Sequence, residues 1–197
     1  MKIINKEEKI KFICDEAYKV FVKVGIDEFS LNKFIAEINM SKGQFYHYFK
    51  TKEELIYQVI SKKTFELVNN IKEEYENKKS FIDKLNLIFL LYLNDEEYYK
   101  DLRKLYIDTL HMYIISNNDE IKESNNNDYK DIYNVLKQIF EEEIEQGNFT
   151  KDSIHLAKSI CATADGMFLQ SLMVDNYNLK LELTNYFIEL EKLLKKK

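Results

Sequence analysis

The chain has 197 residues, enough to bury a sizeable core either as one unit or as a small domain joined to a larger one. It contains no proline and only four glycines, and this shortage of helix breakers predicts an all-α protein with long helices. Its longest apolar stretch, residues 85–93, is far shorter than the ~20 residues of a membrane span. The first residues lack the apolar segment of a signal peptide, so we expect a cytoplasmic protein outside the membrane.

Charge is distributed unevenly along the chain. Residues 1–63 carry 12 lysines against 9 acidic residues, a net charge of +3, whereas residues 64–197 carry 17 basic against 25 acidic residues, a net charge of −8. A protein that contacts DNA only through its N-terminal part would show this asymmetry. A chance fluctuation among solvated faces would also produce it, so charge alone does not decide.

The first predicted helix covers about residues 5–24 and ends at Gly25. Apolar residues at helical spacing form its buried stripe: Ile10, Ile13, Ala17, Val20, Phe21 and Val24. Lys2, Lys6 and Lys9 near its start could reach DNA phosphates, although ordinary solvated lysines explain them at least as well.

Residues 30–52 contain the most informative pattern, two short helices joined by a tight turn. The buried face of the first is marked by apolar residues at helical spacing: Leu31, Phe34, Ile35 and Ile38. Ser30 precedes this helix as an N-cap, and we expect its hydroxyl to accept a hydrogen bond from a backbone N–H. The chain then turns at Asn39, a residue that tolerates left-handed backbone angles.

The second short helix starts at Ser41, where the sequence Ser-x-x-Gln predicts a capping box with Gln44. Phe45 and Phe49 lie four residues apart and therefore share one face. The remaining face offers donors to bases and phosphates: Lys42, Gln44, Tyr46 and His47. This exposed polar face is what a DNA-reading helix requires.

Each candidate DNA contact has a predicted role. Lys42 and Gln44 are the candidates for base edges, although the capping box competes for the Gln44 amide, and Gly43 leaves room for backbone to approach the duplex. Phosphates are assigned to Tyr46, His47, Tyr48 and Lys52, aided by Ser30 and by amides of the helix that follows the Thr51-x-x-Glu54 capping box. The full predicted set is Ser30, Ser41, Lys42, Gly43, Gln44, Tyr46, His47, Tyr48 and Lys52.

This run resembles the DNA-binding segment of the TetR-type repressors. The residues that carry the resemblance are Ile35-Ala36, the stretch from Ser41 to Phe49, and Lys52-Glu53-Glu54-Leu55, with Ala17, Phe21, Gly25, Phe29 and Ser30 upstream. Family members usually have glycine in the turn, where this chain has Asn39. The resemblance implies a DNA-binding head at residues 1–50 and a body at 51–197 that binds a ligand and dimerises. It also implies a homodimer on a pseudo-palindromic double-stranded DNA operator, released by an inducer.

The body is predicted to be a helical bundle that brings the total to about nine helices. A connecting helix at 52–76 is followed by helices at about 80–93, 98–116, 129–146, 151–174 and 179–196. Residues 117–128, with three consecutive asparagines, lack periodicity and predict a mobile surface loop.

Two sets of body residues are candidates for function. The last two helices predict a dimer interface at Ala157, Cys161, Ala164, Phe168, Phe187 and Leu190, because small side chains allow close helix approach; burial within one subunit is the alternative. Aromatic residues that could line a pocket are Phe89, Tyr92, Tyr106, His111, Tyr113 and Phe168, although for any single one of them a place in the core is the favoured interpretation. The resemblance favours a pocket for a small, partly apolar molecule that changes the spacing of the heads through the connecting helix.

Catalysis is not expected, so no catalytic residue, metal or cofactor is predicted. The glycines are isolated, the histidines lack metal-ligand spacing, and Cys14 and Cys161 occupy apolar helical patterns that predict burial. Two other functions stay open: a DNA-binding regulator without a small ligand, and a helical ligand carrier or interaction module with a vestigial DNA motif. Intact Lys42, Tyr46 and Lys52 count against the second.

Overall fold

A computed structural model describes residues 5–115 and 119–196, except for the side chains of residues 111, 112, 115, 119–121 and 124. In the described part there are ten α-helices, one short 3-10 helix and no strand, which confirms the predicted all-α fold. The α-helices are α1 Lys6–Val24, α2 Leu31–Glu37, α3 Lys42–Tyr46, α4 Lys52–Tyr75, α5 Phe81–Ile88, α6 Leu90–Leu93, α7 Glu97–Ile115, α8 Asp119–Glu145, α9 Ala157–Met173 and α10 Leu179–Leu194. The 3-10 helix is Lys151–Leu156. None of these helices is long and apolar enough to cross a membrane.

The first of two compact units contains the described residues up to Asn69 together with residues 101–115. Its core joins α1, α2, α3 and the start of α4, and it includes Leu105 of α7. The largest fully buried side chains are phenylalanines: Phe21, Phe34, Phe45 and Phe49. Burying each of these rings contributes about 2 kcal/mol of transfer free energy, which is how the short helices α2 and α3 form a stable head with α1.

The second unit contains residues 70–100 and the described residues from Asp119 onward. The rings of Phe81, Phe140 and Phe149 pack together in it, with centroids 5.0 to 6.0 Å apart. Helix α9 packs against both α8 and α10, and Lys196 N donates to the Asn148 carbonyl at 2.9 Å. The end of α10 is therefore tied to the turn that follows α8.

Three departures from the predicted elements have local causes. The predicted loop at 117–128 is wrong from residue 119 on, because α8 begins at Asp119 and includes all three asparagines. Asparagine is only a weak helix former, and a helix continued from a buried face further on overrides that preference. The predicted helix at 80–93 is divided at Phe89, whose ψ of 23° ends α5 before α6 starts. The predicted helix at 151–174 begins as the 3-10 helix.

Candidate nucleic-acid interface

The turn between α2 and α3 is fixed by a helix-ending motif. Asn39 has a φ of +53°, as predicted for a left-handed position. The Asn39 N–H donates to the Ala36 carbonyl and the Met40 N–H to the Ile35 carbonyl, both at 3.0 Å, which is the Schellman arrangement. Met40 packs back on the core of the first unit. The direction in which the chain enters α3 is therefore set by backbone hydrogen bonds and packing together.

Helix α3 begins with the predicted capping box. Ser41 Oγ accepts from the Gln44 N–H at 3.2 Å, and the Ser41 N–H donates to Gln44 Oε1 at 2.8 Å. The Gln44 side-chain oxygen is thus occupied, whereas its NH2 group can still donate. Reading adenine through both amide atoms would require breaking the box, so Gln44 suits an acceptor such as guanine O6 or N7.

One face of α3 is packed against the core of the first unit, and the other face is exposed to solvent. Phe45 and Phe49 are buried, with ring centroids 5.5 Å apart in a stacked arrangement. Tyr46 is 50% exposed, and the exposed set is Lys42, Gly43, Gln44, Tyr46 and His47. Two buried rings hold this five-residue helix in place while its polar side chains meet the solvent.

Ser30 and Tyr48 flank this face in different ways. Ser30 occupies the N-cap position of α2, but its side chain makes no capping hydrogen bond, so that expectation is wrong. The Ser30 residue is exposed, which leaves its hydroxyl open to a phosphate. Tyr48 is half-buried against the core, and its ring meets that of His47 edge-on at 5.1 Å.

Lys52 has a contact partner in the first unit. Its Nζ donates to the Ile26 carbonyl at 3.4 Å and lies 5.5 Å from the centroid of the Phe29 ring. The capping box predicted at Thr51 and Glu54 forms only in part: the Glu54 N–H donates to Thr51 Oγ1, but the Glu54 carboxylate accepts from the Lys50 N–H at 2.6 Å. The Lys52 side chain is thus held at the start of α4 by the Ile26 carbonyl and the Phe29 ring.

Helix α7 supplies contacts that the sequence analysis missed. Asp108 Oδ2 accepts from the Ile26 N–H at 3.0 Å, and Lys104 Nζ donates to the Val22 carbonyl at 2.6 Å. Both contacts join residues 82 positions apart. The backbone of Ile26 therefore contacts two helices: its N–H donates to Asp108 of α7, and its carbonyl accepts from Lys52 of α4. No local sequence pattern signals such a contact, because helical spacing only relates residues within one element.

The aromatic residues predicted for a pocket are divided between the units. Phe89, Tyr92 and Phe168 lie together in the second unit, where the Tyr92 and Phe168 rings stack at 4.9 Å. Tyr106 and Tyr113 belong to α7 in the first unit, and the His111 side chain lies outside the described residues. Sequence analysis overlooked Asp165, whose carboxylate accepts from the Tyr92 hydroxyl at 2.7 Å and the Tyr129 hydroxyl at 3.0 Å.

The residues predicted for a dimer interface are mostly covered by their own chain. Five of them are at most 3% exposed, namely Ala157, Cys161, Ala164, Phe168 and Phe187, whereas Leu190 is half-buried. Burial also raises the pKa of the Cys14 thiol to about 11 and, with help from Asp165, that of the Cys161 thiol to about 12. The small-residue stripe is therefore used in packing within the chain. Exposed apolar side chains on and beside α9 and α10 are Leu169, Leu172, Met173, Val174, Leu181 and Leu193.

Two helices joined by a fixed turn, the second exposing lysine, glutamine, tyrosine and histidine, define a helix-turn-helix DNA-binding protein. Residues 13–59 match the sequence model of the family described as bacterial regulatory proteins, tetR family. The chain belongs to this family and is a DNA-binding transcriptional regulator.

Relatives and solved structures resemble the chain over nearly its whole length. The HTH-type transcriptional regulator QacR of Staphylococcus aureus is 27% identical over 190 residues, which are 95% of this chain and 96% of that protein. A transcriptional regulator from Saccharomonospora viridis in complex with choline has a TM-score of 0.81 at 15% identity, covering 97% of this chain and 100% of its own. The TetR-family regulator from Cytophaga hutchinsonii has a TM-score of 0.80 at 16% identity and full coverage of both chains. At such identities the two structures establish the fold alone.

Proposed function

We propose that the protein is a homodimeric repressor that binds a pseudo-palindromic DNA site through α3 and releases it when a small molecule binds the second unit. The observation that carries this proposal is α3 itself, a helix anchored by Phe45 whose exposed face presents Lys42, Gln44, Tyr46 and His47. Two copies of α3 would enter successive major grooves about 34 to 36 Å apart.

The roles of the candidate DNA contacts follow from their surroundings. Lys42 is exposed and has no ion pair in the described part of the chain, so its ammonium can bind a base edge. Gln44 donates through its NH2 group while its oxygen closes the capping box. Lys52 exchanges the weak contact with the Ile26 carbonyl for a phosphate. Ser30, Tyr46, His47 and Tyr48 hold neighbouring phosphates.

The proposed dimer uses the exposed face of α9 together with α10. Ala162, Gly166, Leu169 and Met173 follow one another at intervals of four, three and four residues, which puts them on one helix face. A Cβ at Gly166 would meet no atom within 4 Å of its own chain. A glycine within a helix costs about 1 kcal/mol relative to alanine. Close packing of a second helix against Gly166 would explain why this position is a glycine. Met173 is 75% exposed and would be covered by the partner.

The proposed inducer site is the group of aromatic side chains around Asp165 in the second unit. Phe89, Tyr92 and Phe168 are in ring contact there, and the Tyr92 and Tyr129 hydroxyls hold the carboxylate. The structural neighbour in complex with choline supports a small-molecule ligand for this fold. Helix α4 is continuous from Lys52 to Tyr75, and its residues from Asn70 onward belong to the second unit. The inducer must bind the released dimer more tightly, since equal affinity for both forms shifts nothing.

The experiment that tests DNA binding compares Lys42→Ala and Lys52→Ala by fluorescence anisotropy over a range of salt concentrations. Lys42→Ala should cost about 1 to 3 kcal/mol and relax the preference at one position in each half-site. Lys52→Ala should weaken binding to all sequences and flatten the salt dependence by about one counterion per subunit. Lys137→Ala, an exposed lysine of α8, is the matched control. If neither lysine affects binding, α3 is not the recognition helix.

A further inference from the structure

The side chain of Gln44 is held in one orientation by the capping box at the start of α3. Its Oε1 accepts from the Ser41 N–H at 2.8 Å, while the backbone N–H of Gln44 donates to Ser41 Oγ at 3.2 Å. A backbone N–H only donates, so the amide group cannot be reversed without losing the first of these bonds. Gln44 is exposed, and its NH2 group has no hydrogen-bond partner among the described residues. Gln44 therefore presents donors to the solvent, and its acceptor faces its own backbone.

Lys42, the other candidate for a base contact, also presents donors alone. Its ammonium group donates hydrogen bonds and cannot accept them, and the side chain is exposed. Helix α3 contains neither aspartate nor glutamate, the side chains that accept a hydrogen bond from cytosine. The two residues proposed to contact base edges therefore match acceptors and not donors.

The composition of the N-terminal part of the chain restricts base reading further. Residues 1–63 contain 12 lysines and no arginine, because Arg103 of α7 is the only arginine in the sequence. Arginine or lysine bound to guanine is the most common specific contact between a side chain and a base. Since arginine is missing here, lysine and glutamine are left to make such a contact from α3.

The bases differ in the acceptors that they offer in the major groove. Guanine has two adjacent acceptors, N7 and O6, whereas adenine has the N7 acceptor next to the N6 donor. Thymine offers the O4 acceptor beside a methyl group, and cytosine offers only the N4 donor. A glutamine with both amide atoms free reads adenine, but the capping box occupies the oxygen of Gln44. Guanine is therefore the base that best matches the groups that Gln44 and Lys42 present.

We propose that α3 selects guanine, so that each half-site of the operator has one guanine at the position of Lys42 and another at the position of Gln44. The capping box has a second role in this proposal, since it starts the helix and also sets the base preference of Gln44. This inference rests on the proposed binding of DNA through α3, and it adds the identity of the bases that the helix selects.

The first experiment finds the half-site and then changes single atoms in it. The full-length protein selects its site from duplexes of random sequence, and the selected half-site should contain two guanine positions. Replacing either guanine by 7-deazaguanine, which lacks the N7 acceptor, should weaken binding about three- to tenfold in anisotropy titrations. Inosine lacks only the amino group in the minor groove, so it is the control and should bind nearly as guanine does.

The second experiment repeats the selection with Gln44→Glu, a variant that retains the capping box. One glutamate oxygen still accepts from the Ser41 N–H, but the NH2 donor is replaced by an acceptor that matches the N4 donor of cytosine. One guanine position in each half-site should become cytosine, and the ratio of affinities for the two sites should change roughly tenfold.

The matched control is Gln58→Glu, which adds the same charge at an exposed position of α4 and should still select guanine. If the charge of Gln44→Glu acted only by repelling phosphates, binding to all sequences would weaken alike and the selected bases would not change. That result would overturn the inference. Melting curves show whether the variant is folded, and the experiment with 7-deazaguanine uses the wild-type protein alone.

The inference is also overturned if wild type selects adenine at the position that changes in Gln44→Glu, or if 7-deazaguanine at both positions binds with full affinity. In either case the protein still binds a specific site, so the proposed function stands. Failure of the proposed function would appear separately, as a wild-type protein that selects no sequence, or as DNA binding that is indifferent to both Lys42→Ala and Lys52→Ala.

Discussion

At the scale of single residues, Gly43 is a position where the fold and the proposed DNA contact of α3 favour different residues. A Cβ at this position would meet no atom within 4 Å, and the residue lies inside the helix, where glycine is unfavourable. The fold of the isolated chain therefore gives no reason for a glycine here. Close approach of the α3 backbone to the duplex, as proposed above, would give one.

We expect Gly43→Ala to stabilise the protein by up to about 1 kcal/mol, because alanine favours the helix, and yet to weaken specific DNA binding roughly tenfold. Thermal melting measures the first effect and anisotropy with labelled operator DNA the second. Wild-type affinity in the alanine variant would mean that the backbone at residue 43 stays clear of the DNA.

At the scale of elements, the second unit is joined by a polar cluster as well as by its apolar core. Lys84 of α5 is buried and forms an ion pair with Glu142 of α8, which also accepts from Gln138 at 3.0 Å and from the Tyr75 hydroxyl of α4 at 3.4 Å. Burial alone would raise the pKa of Glu142, but the hydrogen bonds from Lys84 and Gln138 outweigh it, and the net shift is downward. Three helices depend on this one carboxylate.

Lys84→Met should therefore destabilise the protein by about 2 kcal/mol at neutral pH, since Glu142 loses its charged partner. A carboxylate with a lowered folded pKa contributes stability that is complete above its unfolded value of 4.5 and is lost as the pH falls through the folded value. Urea unfolding between pH 7 and pH 3 should accordingly show a shallower acid loss in Lys84→Met than in wild type. Lys137→Met, which removes an exposed ion pair of the same helix α8, should change little. An identical pH profile in Lys84→Met and wild type would contradict this role.

The dimer proposal can be tested on helix α9 with residues that the fold itself does not need. Ala164 is 0% exposed, so Ala164→Glu would unfold the subunit and say nothing about a partner. Gly166→Leu adds a side chain where the chain leaves open space, and Met173→Glu puts charge on an exposed position. Both variants should sediment as monomers with unchanged helix content, whereas the control Lys137→Glu should remain dimeric. Dimers in both test variants would move the interface away from this face of α9.

At the scale of the whole molecule, the sequence was sufficient to predict those features that depend only on residues close together in the chain. The capping box at Ser41, the left-handed Asn39 and the buried Phe45 and Phe49 are all specified within about ten residues. It failed where distant packing decides, as in the helical asparagines of α8, and it could not foresee that Asp165 would meet two tyrosine hydroxyls from other helices. The sequence also does not show which side of α9 is covered by its own chain. Ala164 and Gly166 lie on different sides of this helix, and only the packing shows that Ala164 is buried while the position of a Cβ at Gly166 is open.

The contact between α7 and the α1–α2 turn leads to a prediction about the DNA-binding surface as a whole. The N–H of Ile26 donates to Asp108, and the carbonyl of the same residue accepts from Lys52, so the backbone of Ile26 connects α7 with a candidate phosphate contact. Asp108→Leu removes the acceptor and leaves this N–H unpaired, which should loosen the turn and weaken binding to all DNA sequences roughly tenfold. Asp108→Asn retains an acceptor oxygen and should bind DNA nearly as the wild type does. Anisotropy at low and high salt, with melting curves for both variants, measures the effect. Equal DNA affinity in the leucine and asparagine variants would show that the position of Lys52 does not depend on α7.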